Sequence, residues 1–378
     1  MKQMVRMDEY CSSVRDGTHD TPKPQNKGKY LVTSKAINNN NIDFRSCYFI
    51  SEEDFVEINK RSAVAQWDVI MSMIGTVGRL HITKEVPDYA IKNIALFKLG
   101  NEDRAKWLYY YLSTKTVQRY FELIASGTSQ HFIGLRHLRK LKIADWNSNS
   151  KRIIDILSAY DDLIENNNKR IKILEQMAEN LYKEWFVRFR FPNHQNTEFE
   201  NGIPKGWNVI RLGEYANIST GKCNREDAEE AGIYPLFDRS QEIKKSNSWI
   251  KDCEAIIVPG EGTSFMPRYY VGKFNLHQRC YCIEPKNKNT GKYIFYSLML
   301  NRIYFLYVAT GATVPSLRQN NFTSMKIIMP KMSLVKRFDE IISLLFEQIN
   351  FLENANEKLS KQRDMLLPRL MSGKLEVK

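Results

Sequence analysis

Lys106-Trp107-Leu108-Tyr109-Tyr110-Tyr111-Leu112 and Lys292-Tyr293-Ile294-Phe295-Tyr296-Ser297-Leu298 stand 186 residues apart, and each reads as the start of an aromatic-rich amphipathic helix. The correspondence extends in both directions. Downstream, Ala125-Ser126-Gly127-Thr128 matches Ala309-Thr310-Gly311-Ala312-Thr313, Leu135-Arg136 matches Leu317-Arg318, and the strand Leu141-Lys142-Ile143 matches Met325-Lys326-Ile327-Ile328. Upstream, Trp67-Asp68-Val69-Ile70-Met71 leads to Gly75-Thr76 as Glu254-Ala255-Ile256-Ile257-Val258 leads to Gly262-Thr263, and Arg6-Met7-Asp8-Glu9-Tyr10 is echoed by Arg211-Leu212-Gly213-Glu214-Tyr215. Matches kept in order and spacing at separate places make the chain an internal repeat, which fixes its architecture before any single motif is weighed.

Between the repeats lie two heptad seams. Ile153, Leu157, Tyr160, Ile164, Asn167, Ile171, Leu174, Ala178, Leu181 and Trp185 alternate spacings of four and three, the pattern of one face of a long coiled-coil helix. The 37 residues from Lys151 to Val187 would extend about 55 Å at the helical rise. A second seam runs Phe338, Ile342, Leu345, Ile349, Leu352, Asn356 and Leu359, is broken by Arg363, and is expected to stop at Pro368. Both seams are expected to pair with each other, antiparallel. The fold class is thus α+β: two similar domains in tandem, each followed by a long helix, with pseudo-two-fold symmetry. The expected boundaries are 1–146 and 207–330 for the domains, 147–190 and 331–378 for the helices, and 191–206 for a polar linker rich in Pro and Gly.

With 378 residues and 43% hydrophobic content the chain is too long for one small domain and too apolar for wholesale disorder. Its longest charge-free apolar run of note, Ile303–Thr313, is about half of the roughly 20 residues a membrane helix needs. No secretory signal follows Met1-Lys2-Gln3-Met4-Val5-Arg6, so a cytoplasmic location is expected. The balance of 56 Lys+Arg against 43 Asp+Glu, a net +13 with a sequence pI near 9.3, calls for a polyanionic partner, nucleic acid first. The six cysteines lack Cys-x-x-Cys spacing, and Cys280 and Cys282 read as reduced core thiols; no metal is expected.

Three short runs add a family. Asp16-Gly17-Thr18-His19-Asp20-Thr21-Pro22-Lys23, Pro204-Lys205-Gly206-Trp207 and Leu366-Leu367-Pro368-Arg369-Leu370-Met371-Ser372-Gly373-Lys374-Leu375, set on the tandem plan, resemble the specificity subunit of type I restriction-modification enzymes. The resemblance covers nearly the whole chain. It implies two target-recognition domains that read a bipartite, asymmetric double-stranded DNA target, one half-site each. It further implies helices that serve as a ruler and dock two modification (methyltransferase) subunits, with restriction subunits joining for cleavage in antiphage defence. No cofactor is then expected on this chain; S-adenosylmethionine, ATP and Mg belong to the partner subunits.

Base readout needs two-point hydrogen-bonding side chains on loops, chiefly Arg or Lys for guanine and Asn or Gln for adenine. The candidates in the first domain are Thr18, His19, Lys23, Lys35, Arg79, Lys92, Asn93, Gln130, His131 and Arg136. In the second they are Lys222, Arg239, Gln241, Arg268, Tyr269, His277, Gln278, Arg279, Arg318 and Gln319. Phosphate contact competes with base contact for every cation among them. The glycines Gly75, Gly127, Gly262 and Gly311 serve either close approach to DNA or tight turns, while the run Asn38–Asn41 reads as a turn and the aromatic rows as core. Asn167 and Asn356, one in each seam, are expected to meet and set the register of the helix pair.

Catalytic readings find little support in the sequence. There is no glycine-rich cofactor loop with an Asn-Pro-Pro-aromatic run and no Walker loop, and the carboxylates Asp252 and Glu284 with Lys286 are interrupted by Pro285 and have no counterpart in the first repeat. The chain is expected not to be an enzyme. The competing class is a scaffold or adaptor whose long helices dock protein while its domains hold RNA or another polyanion.

Overall fold

The computed structural model describes residues 3–38, 40–127 and 131–377. The chain divides into two compact units, 1–167 with 354–378, and 168–353. Each long helix contributes to both units, a division that a reading by sequence blocks alone does not reveal.

In the first unit the central sheet has the order Ser13–Asp16, Ile94–Lys98, Val69–Ser72, Leu80–Ile82, antiparallel throughout. Val69, Met71, Ala95 and Phe97 face one core with Trp107 and Leu108, whereas Ile70, Ile94 and Leu96 face another with Val32 and Ile91. Burial of both faces explains why these strands read as unbroken apolar runs. A smaller sheet pairs Lys29–Thr33 antiparallel with Tyr48–Ile50 and parallel with Tyr89–Lys92. The helices Glu102–Leu112 and Lys115–Ile124 follow, and Met4–Arg6 pairs with Lys142–Ala144.

The second unit repeats this plan. Ala216–Thr220, Cys280–Pro285, Lys251–Pro259 and Arg268–Leu276 continue into Tyr234–Phe237, which joins in parallel, and then Lys244–Ser246. Ile256 and Val258 again face one core and Ala255 and Ile257 another. The helices Gly291–Leu300 and Arg302–Val308 follow, and Asn208–Arg211 pairs with Lys326–Met329. The aromatic rows lie largely in the cores: Trp107, Tyr110, Tyr293 and Tyr296 are buried, and Trp107 Nε1 donates to the Ala144 carbonyl at 2.8 Å.

The long helices run Ser148–Tyr182, with a π turn at Lys183–Val187, and Met332–Ser372. Every residue of the first seam is buried or half-buried. Within the first unit the helices are antiparallel neighbours, since Asp161 meets Arg363 and Asn167 meets Asn356. Two expectations about the second seam fail. Packing does not stop at Pro368; the helix runs four residues further, because burying Leu367, Leu370 and Met371 in one core with Ile153, Ile154 and Leu157 outweighs the roughly 3 kcal/mol cost of a helical proline. Arg363 does not interrupt the pairing either, for its guanidinium forms an ion pair with Asp161 2.5 Å away. The linker is likewise more than a tether. It forms a turn, His194–Asn196, and a hairpin of Phe199–Glu200 with Ile203–Pro204, while Phe191 stacks on Trp207 at 5.3 Å within the second unit's core.

Asn167 Nδ2 donates to Asn356 Oδ1 at 2.9 Å. A polar pair in an otherwise apolar seam leaves an unsatisfied amide when either member is removed. Asn167→Leu and Asn356→Leu should each destabilise the chain, and the double change should cost less than their sum by more than about 0.5 kcal/mol in a denaturation cycle. Additive effects would show that the pair holds no register.

Candidate nucleic-acid interface

One backbone device recurs in both units. In the first, Phe132 bridges Ile74 and Ser126; in the second, Ser316 bridges Glu261 and Thr310. The bonds correspond one for one: Gly75 N to His131 O at 2.9 Å and Gly262 N to Pro315 O at 3.0 Å, then Ile133 N to Met73 O at 3.0 Å and Leu317 N to Gly260 O at 2.8 Å. A second device pairs Thr18 with Lys92 and Cys223 with His277, and Asn93 N to Thr18 O at 3.1 Å matches Gln278 N to Cys223 O at 2.9 Å. Asn93 and Gln278 therefore occupy equivalent places. Gly75 and Gly262 hold positive φ, +77° and +119°, a turn geometry that favours glycine, and face open space where a side chain would stand.

The first-unit candidates converge on these devices. His19 Nδ1 lies 2.8 Å from Asn93 Oδ1 and its Nε2 lies 3.1 Å from Asp16 Oδ2, with the imidazole 61% exposed. Lys92 reaches the Thr21 hydroxyl, and Ser34 Oγ donates to the Asn93 carbonyl at 2.8 Å, bringing Lys35 alongside. Arg79 Nη1 donates to the Ile37 carbonyl at 3.3 Å, tying the Gly75 loop to the same edge. His131, Lys23 and Arg136 are exposed. Gln130 lies outside the described residues. These bonds bring Thr18, His19, Lys92 and Asn93 together, with Lys35 next in sequence to the bonded Ser34, while Arg79 and His131 belong to the Gly75 device.

In the second unit a polar recess of about 320 Å³ is lined by Gly260, Glu261, Gln278, Arg279, Ser316 and Arg318, among others. Arg279 Nη1 lies 2.8 Å from Glu261 Oε1 and Arg239 Nη1 lies 2.5 Å from Glu261 Oε2. Gln278 Nε2 donates to Asn224 Oδ1 at 2.7 Å, and Gln241 reaches Ser264 at 3.4 Å. Lys222, Arg318 and Gln319 are exposed, though Gln319 Nε2 is spent on the Ile218 carbonyl at 2.8 Å. The fold engages three candidates in packing and internal hydrogen bonds. Tyr269 packs on Phe295 and Phe346 and donates to Glu254 at 2.7 Å; its position on Arg268–Leu276 turns it toward the helices, and burial with the Glu254 bond raises its pKa. His277 is 6% exposed, its Nδ1 accepts from Arg279 N at 3.0 Å, and burial lowers its pKa, so it shapes the turn. Arg268 is half-buried and donates to the Ser240 carbonyl.

Glu261 went unremarked in the sequence, as did Asn224 and Ser316. Aligning the repeats sets Glu261 on Ile74, a charge where the other copy has an aliphatic, and that mismatch was the available signal. Among the described residues no group of three or more His, Cys, Asp or Glu could hold a metal ion, and no helix is long and apolar enough to cross a membrane. The carboxylate and lysine trio has a structural use, since Lys286 Nζ donates to the Gly213 and Glu214 carbonyls at 3.0 Å.

Two copies of one α+β unit, each gathering cationic and amide side chains onto paired loops, define a tandem recognition protein. The model of the type I restriction modification DNA specificity domain matches residues 2–176 and 204–361, and the chain belongs to that family, carrying two such domains. It is 29% identical over 302 residues to the MjaIX specificity subunit of Methanocaldococcus jannaschii, covering 72% of this chain and 69% of that one. With the HindI specificity subunit of Haemophilus influenzae it shares 20% identity, over 92% and 94% of the two chains. The crystal structure of a type I S subunit from M. genitalium superposes with a TM-score of 0.56 at 16% identity, covering 98% of this chain and 96% of the other, which places the fold alone.

Proposed function

We propose that this chain is the non-catalytic specificity subunit of a type I restriction-modification complex that reads a bipartite, asymmetric DNA duplex in the cytoplasm, one half-site per domain. The observation that carries the reading is the recurrence of the same paired-loop backbone with different side chains: His19, Asn93 and Arg79 in one copy, Gln278, Arg279 and Arg318 in the other. One scaffold with two sets of hydrogen-bonding side chains suits two unlike half-sites. The long helices space the domains and dock two modification subunits, with restriction subunits added for cleavage. S-adenosylmethionine, ATP and Mg work on those partners.

The test is methylome sequencing of cells that carry the chain with its modification subunit, before and after residues 207–330 are exchanged for another family member's second domain. One half of the methylated motif should change and the other should persist. Change in both halves would refute separable readout. Absence of any motif, with salt-sensitive binding to RNA and none to duplex DNA, would favour an RNA-binding adaptor instead.

A further inference from the structure

We propose that Glu261 is a positioning residue for sequence readout: its carboxylate, shared with Arg239, holds Arg279 at the recess so that Arg279 meets a base edge instead of the nearest phosphate. The inference rests on the DNA-reading function proposed above and assigns a role within the second domain.

Glu261 is anchored by its backbone. It bridges Ser316, its neighbours Gly260 and Gly262 bond Leu317 and Pro315, and its side chain is only 15% exposed. Both carboxylate oxygens are in use, Oε1 toward Arg279 and Oε2 toward Arg239. Each guanidinium commits its Nη1 to that carboxylate, leaving Nη2 and Nε, the pair that can fork onto two acceptors of one base. An exposed arginine without such a hold is a flexible cation that any phosphate satisfies. The carboxylate also cancels one of the two positive charges locally, which weakens sequence-independent attraction at the recess while leaving the donors in place. Arg279 is steadied from a second side, because its backbone N–H donates to the buried His277 ring. The first unit has Ile74 and Phe132 at the equivalent bridge, so the device belongs to one half-site only.

The test compares the methylated motifs of cells carrying the wild-type chain, Glu261→Gln or Arg279→Lys with the same modification subunit. Glu261→Gln and Arg279→Lys should relax the same base pair, in the second domain's half alone, with discrimination there falling about ten-fold or more. Duplex binding by the purified Glu261→Gln chain should tighten on mismatched sequences. An unchanged motif in Glu261→Gln, or relaxation in both halves, would overturn the assignment. If Glu261→Gln abolishes methylation, Glu261→Asp, which keeps the charge and withdraws it by one methylene, decides: relaxation at the Arg279→Lys position supports positioning, and an unchanged motif refutes it. A wild-type chain that yields no motif would overturn the DNA-reading function itself, a result separable from the others.

Discussion

Phe338→Ala should destabilise the second unit by about 3–5 kcal/mol, the range for emptying a buried aromatic site. Phe338 is fully buried on the second long helix, with ring centroids 6.0 Å from Tyr182, 6.1 Å from Trp185, 5.0 Å from Phe186 and 6.3 Å from Tyr296. It sits where both long helices and the aromatic helix Gly291–Leu300 meet, so truncation removes edge contacts to three rings and a tilted contact to Trp185 together with the area it buries. Rings cannot shift to fill such a hole without leaving their rotamers, so the cavity should persist. Phe338→Leu should cost about 1–2 kcal/mol by retaining most of the volume. Urea denaturation monitored by tryptophan fluorescence checks both, and equal losses for Ala and Leu would show that packing is not what Phe338 supplies.

Asp161→Ala should cost about 1–3 kcal/mol in the first unit, because it leaves the Arg363 guanidinium with Asp364 as its remaining carboxylate partner and deprives the Tyr110 hydroxyl of its acceptor at once. The side chains of Arg363 and Asp161 are 25% and 20% exposed, so water replaces little of what is lost. Burial and the adjacent carboxylate both raise the Tyr110 pKa, while the hydrogen bonds to Asp161 and Asp364 hold Arg363 charged against its burial. Replacing both charges, Asp161→Leu with Arg363→Met, should recover the part of the loss due to the guanidinium and leave the part due to the Tyr110 hydroxyl. A double mutant as unstable as Asp161→Ala would mean that the pair stabilises the fold outright instead of merely requiring its own completeness.

The tandem plan and both seams were legible because they depend on periodic burial, which side-chain type reports directly: the seam from Ile153 to Trp185 is buried or half-buried at every position. The buried ion pair was not, since Arg363 in isolation looks like an interruption and becomes a seam residue only when Asp161 faces it. Pro368 misled in the same way, as local propensity lost to the core around Leu367 and Leu370. Among the candidate readers, side-chain chemistry plus loop position picked out Gln278, Arg279 and Arg318, which line one recess, and Arg239, which shares the Glu261 carboxylate with Arg279. The inward placement of Tyr269 and His277 was not legible, because a strand has two faces and a short turn has an inside, and nothing in the residue type says which is occupied. Glu261 was not among the candidates because only hydrogen-bonding and cationic side chains were sought there.

The first unit draws on residues 1–167 and again on 354–378, with Leu367, Leu370 and Met371 closing its core. On the ribosome, 378 − 167 = 211 residues separate the last residue of its main segment from the end of its closing one. At about 5–20 residues per second that is a wait of roughly 10–40 s, long against the folding of a small domain. The second unit, drawn from the unbroken stretch 168–353, can complete its own fold during that wait. Biosynthesis therefore reverses the order of the chain: the half translated first matures last, with the apolar face of Ile153, Ile154 and Leu157 uncovered until the far helix arrives.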